Sequence, residues 1–171
     1  AQLVNKSNQF NLTTRRYTEA DIRNFESNPD SFTLQVRLAD KFGDNGMISV
    51  VIFRKGAKEW VCDTWLMSCR VIGRRVEEAV LKVVAEAARG SGATRLVGEF
   101  VPTAKNAMVA DHFAKLGFEA LSESADGKTS WHLDLAAYTP PDLPITLSGS
   151  ALAWLPPEAP GAVSHDQTIA R

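Results

Sequence analysis

The stretch "WLMSCRVIGRRVEEAVL", residues 65–81, joins a strand-like apolar run to a helix-like apolar run. The first run ends at Ser68 and Cys69, and a turn with one glycine and three arginines follows it. From Val76 the apolar residues recur with the helical period. A helix N-terminus carries about half a positive charge and outward N–H groups, so it binds phosphate well. The junction therefore predicts either an anion site beside a thiol or an ordinary loop with a solvated basic rim.

The other segments predict a mixed α+β domain around this junction. A helix near 18–27 begins after an N-cap at Thr18, with Asp21 in its first turn. The further predicted elements are strands at 32–40, 47–55, 59–69, 94–101 and 130–136, a helix from Val76 to the glycines at 90–92, and a helix that follows Thr103. This order favours a central, mostly antiparallel sheet with one parallel crossover.

The composition predicts one globular domain followed by a tail. The chain has 171 residues, 44% hydrophobic residues and a net charge of −1, which gives no reason to expect nucleic acid as a partner. No apolar run approaches the roughly 20 residues that span a bilayer, so we expect no membrane partner. After Tyr138 the chain becomes rich in proline and loses its periodicity. We therefore predict a domain at 1–138 and a linker or tail at 139–171.

The two cysteines favour a reducing compartment. Cys62 and Cys69 lie seven residues apart in one predicted strand, so they face opposite sides and are too distant for a disulfide. Reduced thiols without a disulfide framework fit a cytoplasmic protein. Neither cysteine has the spacing of a zinc site, and we expect no metal in this domain.

The junction resembles the coenzyme A-binding turn of the GNAT acyltransferases. In that fold a strand leads into an R/Q-x-x-G-x-G/A turn that cradles the pyrophosphate of coenzyme A. The sequence "RVIGRR" at 70–75 lies on this motif, with Arg75 in place of the final small residue. The later run "NAMVADHFAKLGF" at 106–118 resembles a GNAT helix that ends in an aromatic residue, a short spacer and Gly-Phe. The resemblance implies a GNAT-like α+β fold whose phosphate-binding residues are Arg70, Val71, Ile72, Gly73, Arg74, Arg75 and Val76.

Four segments resemble a narrower group, the C-terminal GNAT-like half of FkbH-like proteins. They cover 3–22, 40–46, 63–81 and 101–119, and include "LVNKSNQFNLTTRRYTEADI" and "DTWLMSCRVIGRRVEEAVL". In that family a haloacid-dehalogenase (HAD)-type phosphatase half precedes this domain and uses a D-x-D-x-T motif, which this sequence lacks. The whole protein takes a glyceryl group from 1,3-bisphosphoglycerate, removes the phosphate and loads the glyceryl group onto an acyl carrier protein for polyketide assembly. The resemblance implies acyl transfer to the phosphopantetheine of a carrier protein, or to coenzyme A, with a separate phosphatase domain as partner.

Cys69 is the candidate nucleophile of that transfer. It precedes Arg70 and lies close to a helix N-terminus, and both features favour the thiolate. The alternative interpretation is a small buried residue that closes a strand, which is also our interpretation of Cys62. His112 is the candidate general base, although a histidine on the apolar face of a helix is more often a core residue. Asp63 is a weaker candidate for a base or an orienting carboxylate.

Two polar segments contain the candidate substrate-binding residues, which are Asn8, Gln9, Asn11, Thr103, Lys105 and Asn106. The first three belong, with Arg15, to the segment that most resembles the FkbH-like family. They shape the acceptor site, face the missing phosphatase half or form a hydrogen-bonded N-terminal arm. The last three begin a predicted helix, where they hold a substrate oxygen or phosphate, or where Thr103 is simply an N-cap.

These residues leave two hypotheses of different classes open. One is an enzyme domain that transfers a glyceryl or another small acyl group to a carrier protein. The other is a catalytically silent GNAT-like module that docks a carrier protein beside a phosphatase supplied elsewhere. An acetyl-CoA-dependent N-acetyltransferase is a third, weaker interpretation, because Arg75 departs from the standard coenzyme A turn.

Overall fold

A single mixed β-sheet is the centre of the molecule. A computed structural model describes residues 9–149 and the backbone of residues 167–170. The described strands are β1 (Ser31–Asp40), β2 (Gly43–Lys55), β3 (Glu59–Met67), β4 (Arg95–Phe100), β5 (Glu119–Glu123), β6 (Thr129–Asp134), β7 (Thr146–Leu147) and β8 (Gln167–Ala170). They pair in the order β5-β6-β4-β3-β2-β1-β8-β7. Neighbouring strands are antiparallel except for the parallel pairs β3–β4 and β7–β8.

Helices cover both faces of this sheet. The described helices are α1 (Glu19–Ser27), α2 (Val76–Gly90) and α3 (His112–Lys115), with 3-10 turns at Cys69–Val71 and Ala107–Val109. The crossover helix α2 joins β3 to the parallel strand β4 and contributes its buried face to the main core. A second, smaller cluster lies under α1. None of these helices is long and apolar enough to cross a membrane. The predicted α+β class with a mostly antiparallel mixed sheet is confirmed.

The apolar period of α2 sets the extent of this helix. Val76 and Val84 are both fully buried, one at its start and one in its third turn. The helix ends where Gly92 takes a φ of +84° and the Ala93 N–H donates to the Ala88 carbonyl at 3.0 Å. This is the bond pattern of a glycine-terminated helix. The predicted start and stop of the helix are confirmed.

A capping box starts α1. The Thr18 hydroxyl accepts from the Asp21 N–H at 3.2 Å, and the Asp21 carboxylate accepts from the Thr18 N–H at 2.8 Å. The pair satisfies donors that a helix N-terminus leaves unbonded. Hydrogen bonds from Thr18 also hold the pKa of the Asp21 carboxyl below its usual range. The predicted N-cap is confirmed.

The long helix predicted after Thr103 is wrong, because the segment forms only a 3-10 turn and the four-residue α3. The cause is the buried side chain of Asn106. Its oxygen accepts from the Thr103 N–H at 2.7 Å. Its amide nitrogen donates to the carbonyls of Asn11 and Val101 at 3.0 and 2.9 Å. A side chain that competes for backbone groups in this way holds the chain in a turn, so the helix begins later.

Two boundaries near the β1–β2 hairpin differ from the prediction. β2 begins at Gly43 rather than at 47, because the ladder continues through two irregularities to a pair between Asp40 and Gly43. β3 ends at Met67 rather than at 69, because after a last bond from the Ser68 N–H to the Ile48 carbonyl of β2 at 2.7 Å the chain enters the 3-10 turn at Cys69–Val71. The hairpin is therefore longer than predicted, and Cys69 lies just outside the sheet.

Other parts of the sheet leave no clear pattern in the sequence. All five residues of β5 are exposed, so this strand lacks the alternation that predicts a half-buried strand. The described part of the predicted tail also joins the domain, because Ile145 and Leu147 are buried in the main core and β8 pairs with β1. The boundary at 138 stays a prediction, but the residues directly after it are not a linker alone.

The N-terminal segment 10–13 lies between β3 and β4. These two strands pair with each other over only three residues each. Beyond that point the Leu12 N–H donates to the Trp65 carbonyl at 3.2 Å, and the Leu12 carbonyl accepts from the Val101 N–H at 2.8 Å. The side chains of Phe10 and Leu12 are buried in the main core. The segment therefore closes the opening between the two parallel strands.

We expect Gly98→Ala to destabilise the fold. A Cβ at position 98 in β4 lies 2.3 Å from a ring carbon of Phe113, which is itself buried in the core. The ring has no free space to move into, so we expect the free energy of unfolding to fall by about 1–3 kcal/mol. Urea denaturation followed by circular dichroism measures this loss.

Gly90→Ala is the matched control for this variant. A Cβ at position 90 has no atom within 4 Å, and the residue is helical. Alanine is the better helix former, so we expect stability to stay equal or to rise by up to about 1 kcal/mol. An unchanged stability for Gly98→Ala contradicts the close contact with Phe113.

Candidate functional site

The junction between β3 and α2 is a 3-10 turn followed by two left-handed residues. The turn at Cys69–Val71 is closed by the Ile72 N–H, which donates to the Cys69 carbonyl at 3.4 Å. Gly73 has a φ of +80°, and Arg75, the N-cap of α2, has a φ of +61°. Glycine takes this conformation freely, whereas a residue with a side chain loses about 1–2 kcal/mol there. Position 75 therefore favours the small residue of the GNAT motif, and an arginine there needs other support.

Several backbone N–H groups at the start of α2 have no backbone hydrogen-bond acceptor within the described residues. They include those of Gly73, Arg75 and Val76. The turn itself is fixed, because Val71 and Val76 are fully buried. A fixed helix start with unbonded N–H groups is an arrangement that binds phosphate or another anion. The junction thus has the donors that the predicted anion site requires.

Two of the three arginines of the turn are engaged by carboxylates. The guanidinium of Arg74 pairs with Asp40 at the end of β1. A hydrogen bond from the Phe42 N–H, together with Arg74, holds the pKa of the Asp40 carboxyl below its usual range. Arg75 donates twice to Glu78, at 2.9 and 2.7 Å. That pair supports the strained Arg75 and holds its side chain along the helix.

Arg70 is bound differently. Its guanidinium donates to the Asn45 carbonyl at 3.2 Å and to the Ser68 hydroxyl at 3.1 Å. No carboxylate among residues 9–149 pairs with it. Arg70 therefore keeps a full positive charge beside the turn, which the sequence alone did not distinguish from the charges of the other two arginines.

The two thiols have opposite environments. Cys69 is exposed, whereas Cys62 is fully buried in the main core. Burial raises the pKa of the Cys62 thiol well above its usual range, so this thiol stays protonated. The predicted core position of Cys62 is confirmed. The alternative interpretation of Cys69, a buried residue that closes the strand, is wrong because the strand ends two residues earlier.

An open cavity separates the basic turn from the tip of the β1–β2 hairpin. Its volume is about 470 Å³. The residues that line it include Asp40, Phe42, Asp44, Asn45, Arg70 and Arg74. Arg70 and Arg74 both bond to the hairpin, so the turn and the hairpin are held together at the border of this cavity.

His112 lies in the core rather than in this cavity. Its ring is 5% exposed and makes edge contacts with the rings of Phe10, Trp65 and Phe113. Burial lowers the pKa of His112 to about 3. The role of general base stays a prediction, and both the burial and the low pKa argue against it. The alternative, a core histidine, fits these contacts.

Three predicted substrate residues meet, but their polar groups bond to one another. Asn106 connects the Thr103 N–H to the Asn11 carbonyl through its side-chain amide. Asn106 and Asn11 are both buried. These bonds fasten the N-terminal segment to the loop after β4. A substrate-binding role for the three residues stays a prediction. The bond to Asn11 supports the alternative of a hydrogen-bonded N-terminal arm, whereas Thr103 is not an N-cap because no helix begins directly after it.

The other predicted substrate residues do not add to this cluster of Asn11, Thr103 and Asn106. Gln9 and Lys105 are exposed. Asn8 lies outside the described residues. Arg15 bonds to Asp63 at 2.7 Å, so this part of the segment serves as the hydrogen-bonded arm that was one of the expected alternatives.

Asp63 has a larger role than its sequence position indicated. Its side chain is completely buried at an irregularity of the β2–β3 ladder. One carboxylate oxygen accepts from Arg15 at 2.7 Å and from Arg54 at 2.5 Å. The other accepts from the Tyr17 hydroxyl. Burial and the hydrogen bond to Asp63 raise the pKa of Tyr17. In the sequence, this cluster is indicated only by the strand alternation, which places Asp63 on the face opposite Cys62.

A second cavity, of about 440 Å³, lies away from this junction. Leu81 of α2, Leu116 after α3 and Tyr138 contribute to its lining. None of the predicted site residues lines it. We therefore do not assign it to the chemistry of Cys69.

The stability of the protein is expected to fall as the pH falls below 6.5. The pKa of His112 is about 3 in the folded chain, against 6.5 for an ordinary histidine. Between these values the unfolded chain binds a proton that the folded chain does not, so the free energy of unfolding falls by up to about 1.4 kcal/mol per pH unit. Urea denaturation at several pH values between neutral and acidic measures the slope.

His112→Leu should remove this part of the slope, and His132→Leu is its control. His132→Leu removes a partly exposed histidine of β6, so it shows whether the loss of any histidine changes the slope. Equal slopes for the wild type and His112→Leu contradict a buried, neutral His112.

We expect Asp63→Asn to destabilise the protein and to lower the raised pKa of Tyr17. The change removes the charged acceptor of two arginines and one tyrosine in a buried position, and we expect a loss of about 1–3 kcal/mol. Asp44→Asn is the control, because Asp44 pairs with Arg37 on the surface and should contribute no more than about 1 kcal/mol. Urea denaturation and ultraviolet titration of the tyrosines measure the two effects, and equal losses in both variants contradict the role of Asp63.

Solved structures share this architecture. The GNAT domain of S. lividans PAT matches with a TM-score of 0.54 and 22% identity, over 70% of each chain. The ribosomal-protein-S18-alanine N-acetyltransferase from Escherichia coli matches with a TM-score of 0.56 and 15% identity, over 78% of this chain and 84% of the other. An aminoglycoside 6'-N-acetyltransferase complexed with coenzyme A matches with a TM-score of 0.54 and 9% identity, over 74% and 84%.

Sequence comparison adds no closer relative. No family model matches the chain, and no curated protein matches it either. The order of strands, the parallel pair around α2 and the likeness to these solved structures agree with one another. The chain therefore has the GNAT fold.

Proposed function

We propose that this chain is an acyltransferase domain that loads a glyceryl or similar small acyl group onto the phosphopantetheine thiol of an acyl carrier protein in polyketide biosynthesis. A HAD-type phosphatase, as a neighbouring domain or a separate protein, prepares the acyl group. The observation that carries the proposal is the exposed thiol of Cys69, directly before the turn that starts α2, on a GNAT fold.

The start of α2 supports binding of the phosphate that belongs to the carrier's arm. The N–H groups of Gly73, Arg75 and Val76 are available for an anion within the described chain. Arg70 adds a guanidinium that is not neutralised by a carboxylate in this part of the structure, and its planar donors fit phosphate oxygens. Glu78 holds the Arg75 side chain along the helix, away from a position across the turn. The same donors fit the diphosphate of coenzyme A, which is the alternative source of the arm.

The transfer itself needs two displacements at a carbonyl carbon. The Cys69 thiolate attacks the carbonyl carbon of the incoming acyl thioester, the bond to the donor sulfur breaks, and the donor leaves as a thiolate that takes a proton from water. The carrier's thiol then gives its proton to water and attacks the Cys69 thioester, and Cys69 leaves as a thiolate. Water accepts and donates the protons in both steps, because His112 is buried and its pKa is about 3.

Intact-protein mass spectrometry tests the proposal. The domain is mixed with the glyceryl thioester of N-acetylcysteamine, and we expect one glyceryl group on the wild type and on Cys62→Ala, but none on Cys69→Ala. Cys62→Ala is the matched control because it removes the other, buried thiol. Addition of a holo acyl carrier protein should then remove the group from the domain and load the carrier.

Two results contradict this mechanism in different ways. If Cys69→Ala loads the carrier at the wild-type rate, the acyl group does not pass through a thioester on Cys69. Absence of any adduct on the wild type, while the holo carrier still binds, favours the silent docking module that the sequence left open.

A further inference from the structure

We propose that the tip of the β1–β2 hairpin and the turn before α2 form the surface on which the carrier protein docks. This docking surface consists of Phe42, Met47, Arg70 and Ile72. The inference rests on the proposed function, because it takes the carrier protein as the partner. The proposed function concerns the phosphopantetheine arm of the carrier, whereas this inference names the residues that contact the folded carrier protein itself.

The first observation is the exposure of apolar side chains at this place. Phe42 is 85% exposed, and Met47 and Ile72 are each 38% exposed. Within the described residues only two other large apolar side chains, Met108 and Leu121, are comparably exposed. Phe42 lines the cavity, and Met47 and Ile72 belong to the hairpin and the turn that border it. Exposed apolar side chains with polar groups around them are typical of a protein-binding surface.

Several bonds hold the hairpin tip and the turn together. Arg70 donates to the Asn45 carbonyl, and Arg74 pairs with Asp40. Asp40 also accepts from the Phe42 N–H at 2.8 Å, so the backbone that carries the phenyl ring is fixed. A ring presented on a fixed backbone loses little conformational freedom when a partner covers it, which favours binding.

The charge around the docking surface specifies an acidic partner. The basic side chains of the hairpin tip and the turn are Arg37, Lys41, Arg70, Arg74 and Arg75, and the acidic ones are Asp40 and Asp44. Arg75 pairs with Glu78 of α2. Asp40 and Asp44 each pair with an arginine. Lys41 and Arg70 have no carboxylate partner in the described chain, so the surface keeps a net positive charge. A partner with acidic side chains around an apolar contact fits this surface.

The location of the surface identifies the carrier protein as that partner. Phe42 and Arg70 line the same cavity, and Arg70 follows Cys69 in the chain. A protein seated on Phe42 therefore lies against the turn that begins at the exposed Cys69. The partner that must bring its own thiol to this point is the carrier.

A kinetic comparison of two thiol acceptors tests the docking surface. The acceptors are a holo acyl carrier protein and free pantetheine, and the variants are Phe42→Ser and the control Leu121→Ser. Phe42→Ser removes the phenyl ring from the contact, so we expect it to raise KM for the carrier by about tenfold or more. We expect its kcat, and its rate with free pantetheine, to equal those of the wild type. Leu121→Ser should change none of these values.

Direct binding separates a failure of this inference from a failure of the proposed function. If the wild type transfers the acyl group to neither acceptor, the proposed function is wrong. Isothermal titration of the holo carrier then still decides the docking surface, because weaker binding by Phe42→Ser alone supports it.

Three results overturn the inference. The first is equal carrier binding or equal carrier KM for the wild type and Phe42→Ser. The second is an equal loss of rate with the carrier and with free pantetheine. The third is sedimentation of the wild type as a dimer that Phe42→Ser converts to a monomer, which assigns the surface to a second copy of the chain.

Discussion

The buried carboxylate of Asp63 is the interaction on which the arrangement of the sheet depends. It accepts hydrogen bonds from Arg15 and Tyr17 of the N-terminal segment and from Arg54 of β2. A buried carboxylate without such partners is strongly unfavourable. Breaking any of these bonds therefore costs free energy, and this holds the three partner side chains against Asp63. The consequence is that residues 10–13 stay inserted between β3 and β4, where Leu12 bonds to Trp65 of β3 and to Val101 directly after β4.

The same insertion determines where the candidate thiol lies. Met67, the last residue of β3, donates its N–H to the Phe10 carbonyl of the inserted segment at 3.2 Å. The next N–H, that of Ser68, donates to β2, and the chain then leaves the sheet. Cys69 is the first residue beyond these bonds, which is why it is exposed while Cys62, in the same strand, is buried. The position of the thiol is therefore a result of how the strand ends.

Local signals made much of the fold predictable, and long-range bonds account for the errors. The cap at Thr18 and the glycine stop after α2 involve neighbours a few residues apart, so the sequence pattern contains them. The bond from Asn106 to Asn11 joins residues 95 positions apart, and no local pattern reports it. For this reason a segment with good helical spacing forms a turn. The role of Asp63 is hidden from local patterns for the same reason, since its partner Arg15 lies 48 positions away.

The basic turn illustrates why counting charges in a motif is insufficient. Arg74 and Arg75 are both engaged by carboxylates, and each of these pairs has a structural purpose. One fastens the hairpin to the turn, and the other stabilises a left-handed residue at the start of α2. The charge that remains for a ligand is that of Arg70, together with the unbonded N–H groups of the helix start. A turn with three arginines thus leaves one guanidinium for the proposed anion, and its other free donors belong to the backbone.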